Sequence, residues 1–334
     1  MKKTLIAAAV LAVSGVASAQ VSLTGGLGFS YQKNSNAVGG SANHGMQMTD
    51  GNLNFAATED LGGGMKITAA SAFASRGRDN AFTPRDASLV LTSGSVVYTL
   101  GSVEKCSRLD NVAGAPVSLA SGHDSGNPAP LAAGVFGLDD SCANNVDTAG
   151  VAFPLGPVTL SASYNEVGAG GGSGSAASGR ANYFTLAGDF SSGKLSLGLE
   201  LRQASATGAT GLAGDVPTFN NGLTTTRLTG SYDFGVATVG AGLEASNHNA
   251  PNKYTLSVAA PLSSAVTVGL IYSNRAAVTA DATYFVASAE ALNATGIGVD
   301  YKLGKMTTIN ASYGIYSNTT VNTNEYRLRL LKSF

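Results

Sequence analysis

No stretch of this chain approaches the ~20 consecutive apolar residues that a membrane-spanning helix needs, which excludes a helical membrane protein. Charge is scarce too. Asp, Glu, Lys and Arg make up 12% of the residues, against about 25% in an ordinary soluble domain. The formal net charge of −1 leaves no basic footprint for nucleic acid. Tryptophan is absent, and the three histidines, His44, His123 and His248, lie in predicted loops and share no ligand spacing. That pattern supports neither a metal centre nor a nucleophile–histidine pair, so no cofactor, metal or catalytic residue is expected. Glycine, by contrast, is abundant at 43 residues. Many small residues, few charges and no long apolar run suit a protein whose outside is lipid and whose inside is mildly polar.

Residues 1–19 read as a secretory signal peptide. Lys2 and Lys3 form the basic start, Leu5 to Val13 is a short apolar run, and Ala17-Ser18-Ala19 is a small-residue cleavage site. The remaining segment, 20–334, is one domain. Removing Lys2 and Lys3 takes the formal charge from −1 to −3. Export places the chain in an oxidising compartment, where the two cysteines, Cys106 and Cys142, are expected to pair as a disulfide.

The mature segment alternates. In "KLSLGLELRQ", Leu195, Leu197, Leu199 and Leu201 are separated by Ser196, Gly198 and Glu200, and Arg202 follows. "VSLTGGLGFSY", "VTLSASY" and "EYRLRLLKSF" behave alike, the last running through Tyr326, Leu328 and Leu330 to Phe334. A period of two puts alternate residues on opposite faces of a strand. Leucine is a modest strand former, so periodicity rather than propensity carries this reading. Counting the segments gives sixteen strands.

Their connections are of two kinds. Short Gly- and Pro-bearing turns, such as "TSGS" (92–95), "FPLGP" (153–157) and "LGKM" (303–306), are interleaved with longer polar segments: 33–46, 75–85, 102–143, 168–180, 205–223 and 275–290. An even strand count, one apolar face and unlike ends predict an all-β fold, a sixteen-stranded antiparallel transmembrane β-barrel of the outer membrane. A sheet in lipid must close, because an open edge would leave backbone groups unpaired in hydrocarbon. The last strand should therefore pair with the first, with Phe334 at the bilayer rim. Tyr31, Tyr164, Tyr232, Tyr272, Tyr301 and Tyr316 lie near strand ends, as an interfacial girdle requires.

With apolar residues facing lipid, the alternation turns Lys66, Glu200, Arg202, Arg227, Glu244, Asp300, Lys302, Arg327 and Arg329 inward. A barrel of this size is too wide for side chains to fill and leaves an aqueous channel, whose charged wall sets the field on a passing ion. Glu200 with Arg202, and Asp300 with Lys302, are spaced to form wall ion pairs. Arg327 and Arg329 read as pore residues. The longest connection, 102–144, is bracketed by Cys106 and Cys142 and carries Glu104, Asp110, Asp124, Asp139 and Asp140. Closing a loop of that size with a disulfide stabilises by about 4 kcal/mol in the chain-entropy model. This loop is expected to fold into the lumen, narrow it, and oppose the basic wall.

Several features together resemble the trimeric general porins of Gram-negative bacteria, particularly the β-proteobacterial type. They are the signal peptide, "TEDLGGGMK" (58–66), the long third connection, "VDYKLGKMTTINASYGIYS" (299–317) and the final phenylalanine. The resemblance spans essentially the whole mature chain. It implies a homotrimer in outer-membrane lipid that passes ions and small hydrophilic solutes by diffusion, with the third loop set against an arginine cluster. The sequence departs from the family where that family carries bases: Asn52 and Ala56 stand on the second strand, Gly101-Ser102 lead into the long loop, and "CANNVD" follows it. Weakened anion preference, neutral or cation-leaning, is the expectation from those substitutions.

Two other classes fit a barrel: an outer-membrane enzyme and an adhesin or display barrel. Neither has a constellation of its own here. "GDFSSGKL" (188–195) matches a phosphate loop up to its lysine, but Leu195 stands where the hydroxyl belongs, and no helix follows. It reads as a strand turn.

Overall fold

The computed structural model describes residues 20–34, 44–74, 83–104, 109, 145–167, 180–207, 222, 224–247, 252–277, 279, 291–318 and 322–334. They form sixteen strands: β1 (Gln20–Asn34), β2 (His44–Gly62), β3 (Met65–Ala74), β4 (Thr83–Ser93), β5 (Val96–Glu104), β6 (Asn145–Leu155), β7 (Val158–Val167) and β8 (Arg180–Ser192). The second half comprises β9 (Leu195–Thr207), β10 (Thr224–Asp233), β11 (Thr238–Ser246), β12 (Lys253–Pro261), β13 (Val266–Arg275), β14 (Leu292–Gly304), β15 (Thr307–Asn318) and β16 (Asn322–Ser333). Each strand pairs with its sequence neighbours, and β16 returns to β1, so the sheet is a closed barrel.

Alternation produces the two faces the sequence anticipates. Leu197, Leu199 and Leu201 on β9 remain 43–45% exposed, while Glu200 between them is buried. The apolar side therefore looks outward and the polar side into the lumen. A soluble sandwich would show the reverse. Tyr31, Tyr164, Tyr232 and Tyr301 stand exposed near the strand ends.

Tight turns reverse the chain at one end. Gly193 (φ 58°), in the turn between β8 and β9, takes a left-handed conformation that glycine adopts without steric penalty. This places "GDFSSGKL" in a strand–turn–strand with no phosphate-binding helix. The opposite end is less uniform than the sequence suggests: β11 and β12 are joined by the short segment 247–252, and β15 and β16 by 319–321. His44, expected in a loop, is the first residue of β2.

At the seam, the Gly25 N–H donates to the Phe334 carbonyl at 2.9 Å, and the Phe334 N–H donates back to Gly25 at 3.0 Å. A Cβ on Gly25 would collide with the Asn52 carbonyl oxygen and the Phe334 ring. Glycine at 25 thus leaves room for the terminal aromatic ring beside the first strand.

Candidate functional site

The lumen wall carries its charge unevenly. On five successive strands, one row of directly paired residues reads Glu200, Arg227, Glu244, Lys253, Arg275 across β9, β10, β11, β12 and β13. Pairing in register puts all five on the lumen face, alternating in sign up to Lys253. Arg227 is the hub, 2% exposed. Its Nε donates to Glu244 Oε2 at 2.6 Å and its Nη1 to Glu200 Oε1 at 2.8 Å. These are short charge-assisted hydrogen bonds, about twice the strength of neutral ones. Lys253 Nζ lies 3.0 Å from the other Glu244 oxygen. Arg202 Nη2 is 3.8 Å from Glu200 Oε1, a Coulombic contact beyond good hydrogen-bond length. Arg202 gains a second support on β8, where its guanidinium carbon sits 4.6 Å from the centre of the Tyr183 ring.

A smaller group occupies the wall beside the seam. Arg329 Nε donates to Asn310 Oδ1 at 3.0 Å, and Asn310 Nδ2 donates to Asp300 Oδ1 at 2.6 Å. Asparagine thereby relays between a cation on β16 and an acid on β14 in a row that continues to Ser30 of β1. Arg327 and Arg329 are both nearly inaccessible. Asp300 makes this short contact across the sheet, to β15.

The wall formed by β2, β3 and β4 is different. Asn52, Asn54, Ala56 and Thr58 face the lumen from β2, with Thr68, Ala70, Ser88 and Val90 alongside. Thr58 Oγ1 and Thr68 Oγ1 share a neutral hydrogen bond at 2.8 Å. Asp86 is a lumen-facing acid of β4. Glycine at 101 on β5 is a tight fit, because a Cβ there would meet the Ala87 carbonyl oxygen and lie 2.8 Å from Ser88 Cα.

Of the residues expected in the wall, Arg202, Arg227, Arg327 and Arg329 fall within these two groups. Lys66 and Lys302 also have lumen parity, but they sit beside the turns, exposed at the short-turn mouth of the barrel. Lys253 and Arg275 join the ladder although the alternation had not singled them out. In the long third connection, Glu104 ends β5 opposite Asn145, while Asp110, Asp124, Asp139, Asp140, Cys106 and Cys142 lie outside the described residues. Leu109, from the same connection, is fully buried. So are several lumen-facing residues of the neighbouring strands, including Asn165 and Tyr183. Asn165 accepts from the Thr148 hydroxyl at 2.7 Å and donates to Ser163 at 3.0 Å. Among the described residues, no group of three His, Cys, Asp or Glu side chains is placed to hold a metal.

Comparison with known proteins agrees with this architecture. The family described as Gram-negative porin matches residues 5–321. Among solved structures, an anion-selective porin from Comamonas acidovorans superposes with a TM-score of 0.67 at 16% identity, covering 95% of this chain and 100% of that one. A triple mutant of Rhodopseudomonas blastica porin gives 0.65 at 17% identity over 94% and 100%. A loop-deletion mutant of OmpT, an outer membrane protein of Vibrio cholerae, gives 0.64 at 14% identity over 95% and 99%. No curated protein matches.

Proposed function

The chain belongs to the Gram-negative porin family, and from that premise we propose that it works as an open diffusion channel, assembled as a homotrimer, with no enzymatic activity. It is an outer-membrane porin, a water-filled path for ions and small hydrophilic solutes. The observation that carries this reading is the inversion of faces in a closed sixteen-stranded barrel, leucine rows outside and a charged, hydroxyl-lined wall inside.

The finer assignments follow from the same arrangement. Residues 1–19 are a cleaved signal peptide, a reading supported by β1 starting at Gln20. Arg202, Arg227, Arg327 and Arg329 line the wall, with Lys66 and Lys302 at the short-turn mouth. The 102–144 connection narrows the lumen with its acids Glu104, Asp110, Asp124, Asp139 and Asp140, and a Cys106–Cys142 disulfide ties its base. Burial of Leu109, and of Asn165 and Tyr183 on the lumen face, supports a covering segment over β6, β7 and β8. The trimer rests on family membership.

Single-channel recording of the purified protein in a planar bilayer tests the reading. Stable conductance steps, in groups of three, are expected. Folded protein that never conducts would mean a plugged barrel and would reopen the enzyme and display alternatives.

A further inference from the structure

We propose that the outward face of β7, β8 and β9 carries a docking pocket for the sugar headgroup of an outer-leaflet glycolipid. The inference goes beyond the channel reading and does not depend on conduction. It starts from a cavity of about 270 Å³ lined by Tyr164, Asn182, Phe184, Gln203, Ser205 and Gly222. Cross-strand pairing puts Tyr164, Phe184 and Gln203 in one row, and Asn182 opposite Ser205 in the next. Tyr164 and Phe184 share the exposed face with Leu186 and Leu201, while Asn165 and Tyr183 are buried on the lumen side. The cavity therefore opens toward the membrane and not toward the channel.

Its height on the barrel selects the occupant. β8 begins at Arg180 and β9 ends at Thr207, both at the end away from the tight turns. In a barrel of this kind that end lies outside the cell. One row nearer the middle of the barrel, the outward face is Leu186 paired with Leu201. At the cavity it changes to two aromatic rings and two amides. A lipid lying along the leucine rows would bring its headgroup to that change.

Chemistry narrows the headgroup. The rings offer apolar faces, Asn182 and Gln203 each offer an amide donor and acceptor, and Ser205 offers a hydroxyl. Among the described residues, none with a charge lines the cavity. Glu166, opposite Asn182, and Asp147 beyond it continue that row as acids, and Arg180 stands at the start of β8. A neutral lining of donors, acceptors and ring faces matches the hydroxyls and C–H face of a sugar better than a phosphate. The volume lies just under the ~300 Å³ at which pockets for drug-sized ligands begin, so there is room for one ring. The same end of β13 and β14 shows similar side chains spent on each other. There the Tyr272 hydroxyl and Asn274 Nδ2 both donate to Asn293 Oδ1, at 3.0 and 2.6 Å. Among the described residues, by contrast, the side chains of Asn182, Gln203 and Ser205 make no hydrogen bond. The lip of the cavity is fixed by the protein itself. The Gly222 N–H donates to the Ala204 carbonyl at 3.0 Å, and Asn247 Nδ2 donates to the Gly222 carbonyl at 3.2 Å.

The absence of tryptophan supplies the test. F184W places a single reporter in the cavity, and Y254W places one at the same end of β12, beside Tyr272. Each full-length variant is reconstituted in phosphatidylcholine vesicles whose brominated chains quench tryptophan on contact. The quenching lipid is then replaced stepwise by unbrominated digalactosyldiacylglycerol, a neutral glycolipid, with unbrominated phosphatidylcholine giving the baseline. F184W emission should recover as though the glycolipid were enriched about fivefold over its bulk share, the ratio that one net hydrogen bond supplies. Y254W should follow the bulk share. Adding N182A/Q203A to F184W should return the enrichment to about one, and Q203L alone should lower it if the double substitution does not fold. Recovery of F184W at the bulk share would overturn the proposal. So would equal enrichment of phosphatidylglycerol, which would mean that phosphate is recognised. A full response to free galactose in vesicles without glycolipid would assign the cavity to soluble sugar and overturn the lipid as its source. Conductance of the native protein tests the channel reading separately, and neither result decides the other.

Discussion

The β2–β4 wall and the β9–β13 wall share one construction, alternating strands with the even face outside the lumen or in it, yet they solve the problem of facing water differently. The first is lined mostly by asparagine, threonine and alanine, with Asp86 on β4, and carries a hydrogen bond between two hydroxyls, Thr58 and Thr68. The second concentrates charge so tightly that Arg227 is 2% exposed between two carboxylates. A wall of mostly small neutral groups can lose one of them at little cost. A charge ladder is interdependent, because a removed acid strands a buried cation. Stability and selectivity are therefore coupled on β9–β13 and separable on β2–β4.

The sharpest break in that contrast is Glu244→Ala. Removing one partner of a buried pair typically costs about 3–5 kcal/mol, so its thermal or denaturant midpoint, followed by the strand signal in circular dichroism, should fall far below that of the native protein. Thr58→Ala, losing a neutral hydrogen bond, should cost about 1 kcal/mol in the same measurement. Writing charge onto the quiet wall is the next step. N52R/A56K should shift the zero-current potential toward anions by a factor of several in permeability ratio at low salt, because both positions face the lumen. Gly101→Lys should instead lower the yield of folded barrel in refolding assays, since its Cβ has no room beside Ala87 and Ser88. The smallest effect belongs to Lys66→Gln and Lys302→Gln. Both side chains are exposed at the mouth and screened by salt, so the permeability ratio should change by less than about 1.5-fold at 0.1 M.

The strand count, the closing pair and the lumen parity of Glu200, Arg202, Arg227 and Glu244 were all legible, because a period of two needs only local sequence. Lys253 and Arg275 were not. Each stands where alternation gives way to a connection, Lys253 after "APN" and Arg275 before "AAV", and a pattern cannot decide whether a residue at that junction still belongs to the strand. A signal was nevertheless available. Glu244 and Lys253 flank a short polar segment at equal distance from its centre, so folding the hairpin symmetrically brings them opposite. The relay through Asn310 was hidden for another reason. Asparagine is depleted in strands and says little about its partner, and Asp300 has Lys302 nearer in sequence than the residue it meets across the sheet. The sequence argued for neutral or cation-leaning selectivity from bases missing on β2. Those positions do face the lumen as Asn52 and Ala56.

Gly25 and Phe334 have a consequence in time as well as in space. Every other strand pair joins neighbours in the chain and can form as soon as its hairpin exists. The β1–β16 pair joins the two ends, and at ~0.6 kcal/mol per doubling of loop length its closure costs about 3 kcal/mol more in entropy than closing a hairpin. Ring closure is therefore the least local event in folding. Until the final residue docks against Gly25, the chain is a curved sheet with two open edges, and every intermediate shares the vulnerability of the unfinished whole. A single glycine without a side chain is what lets that last step end in a flush joint.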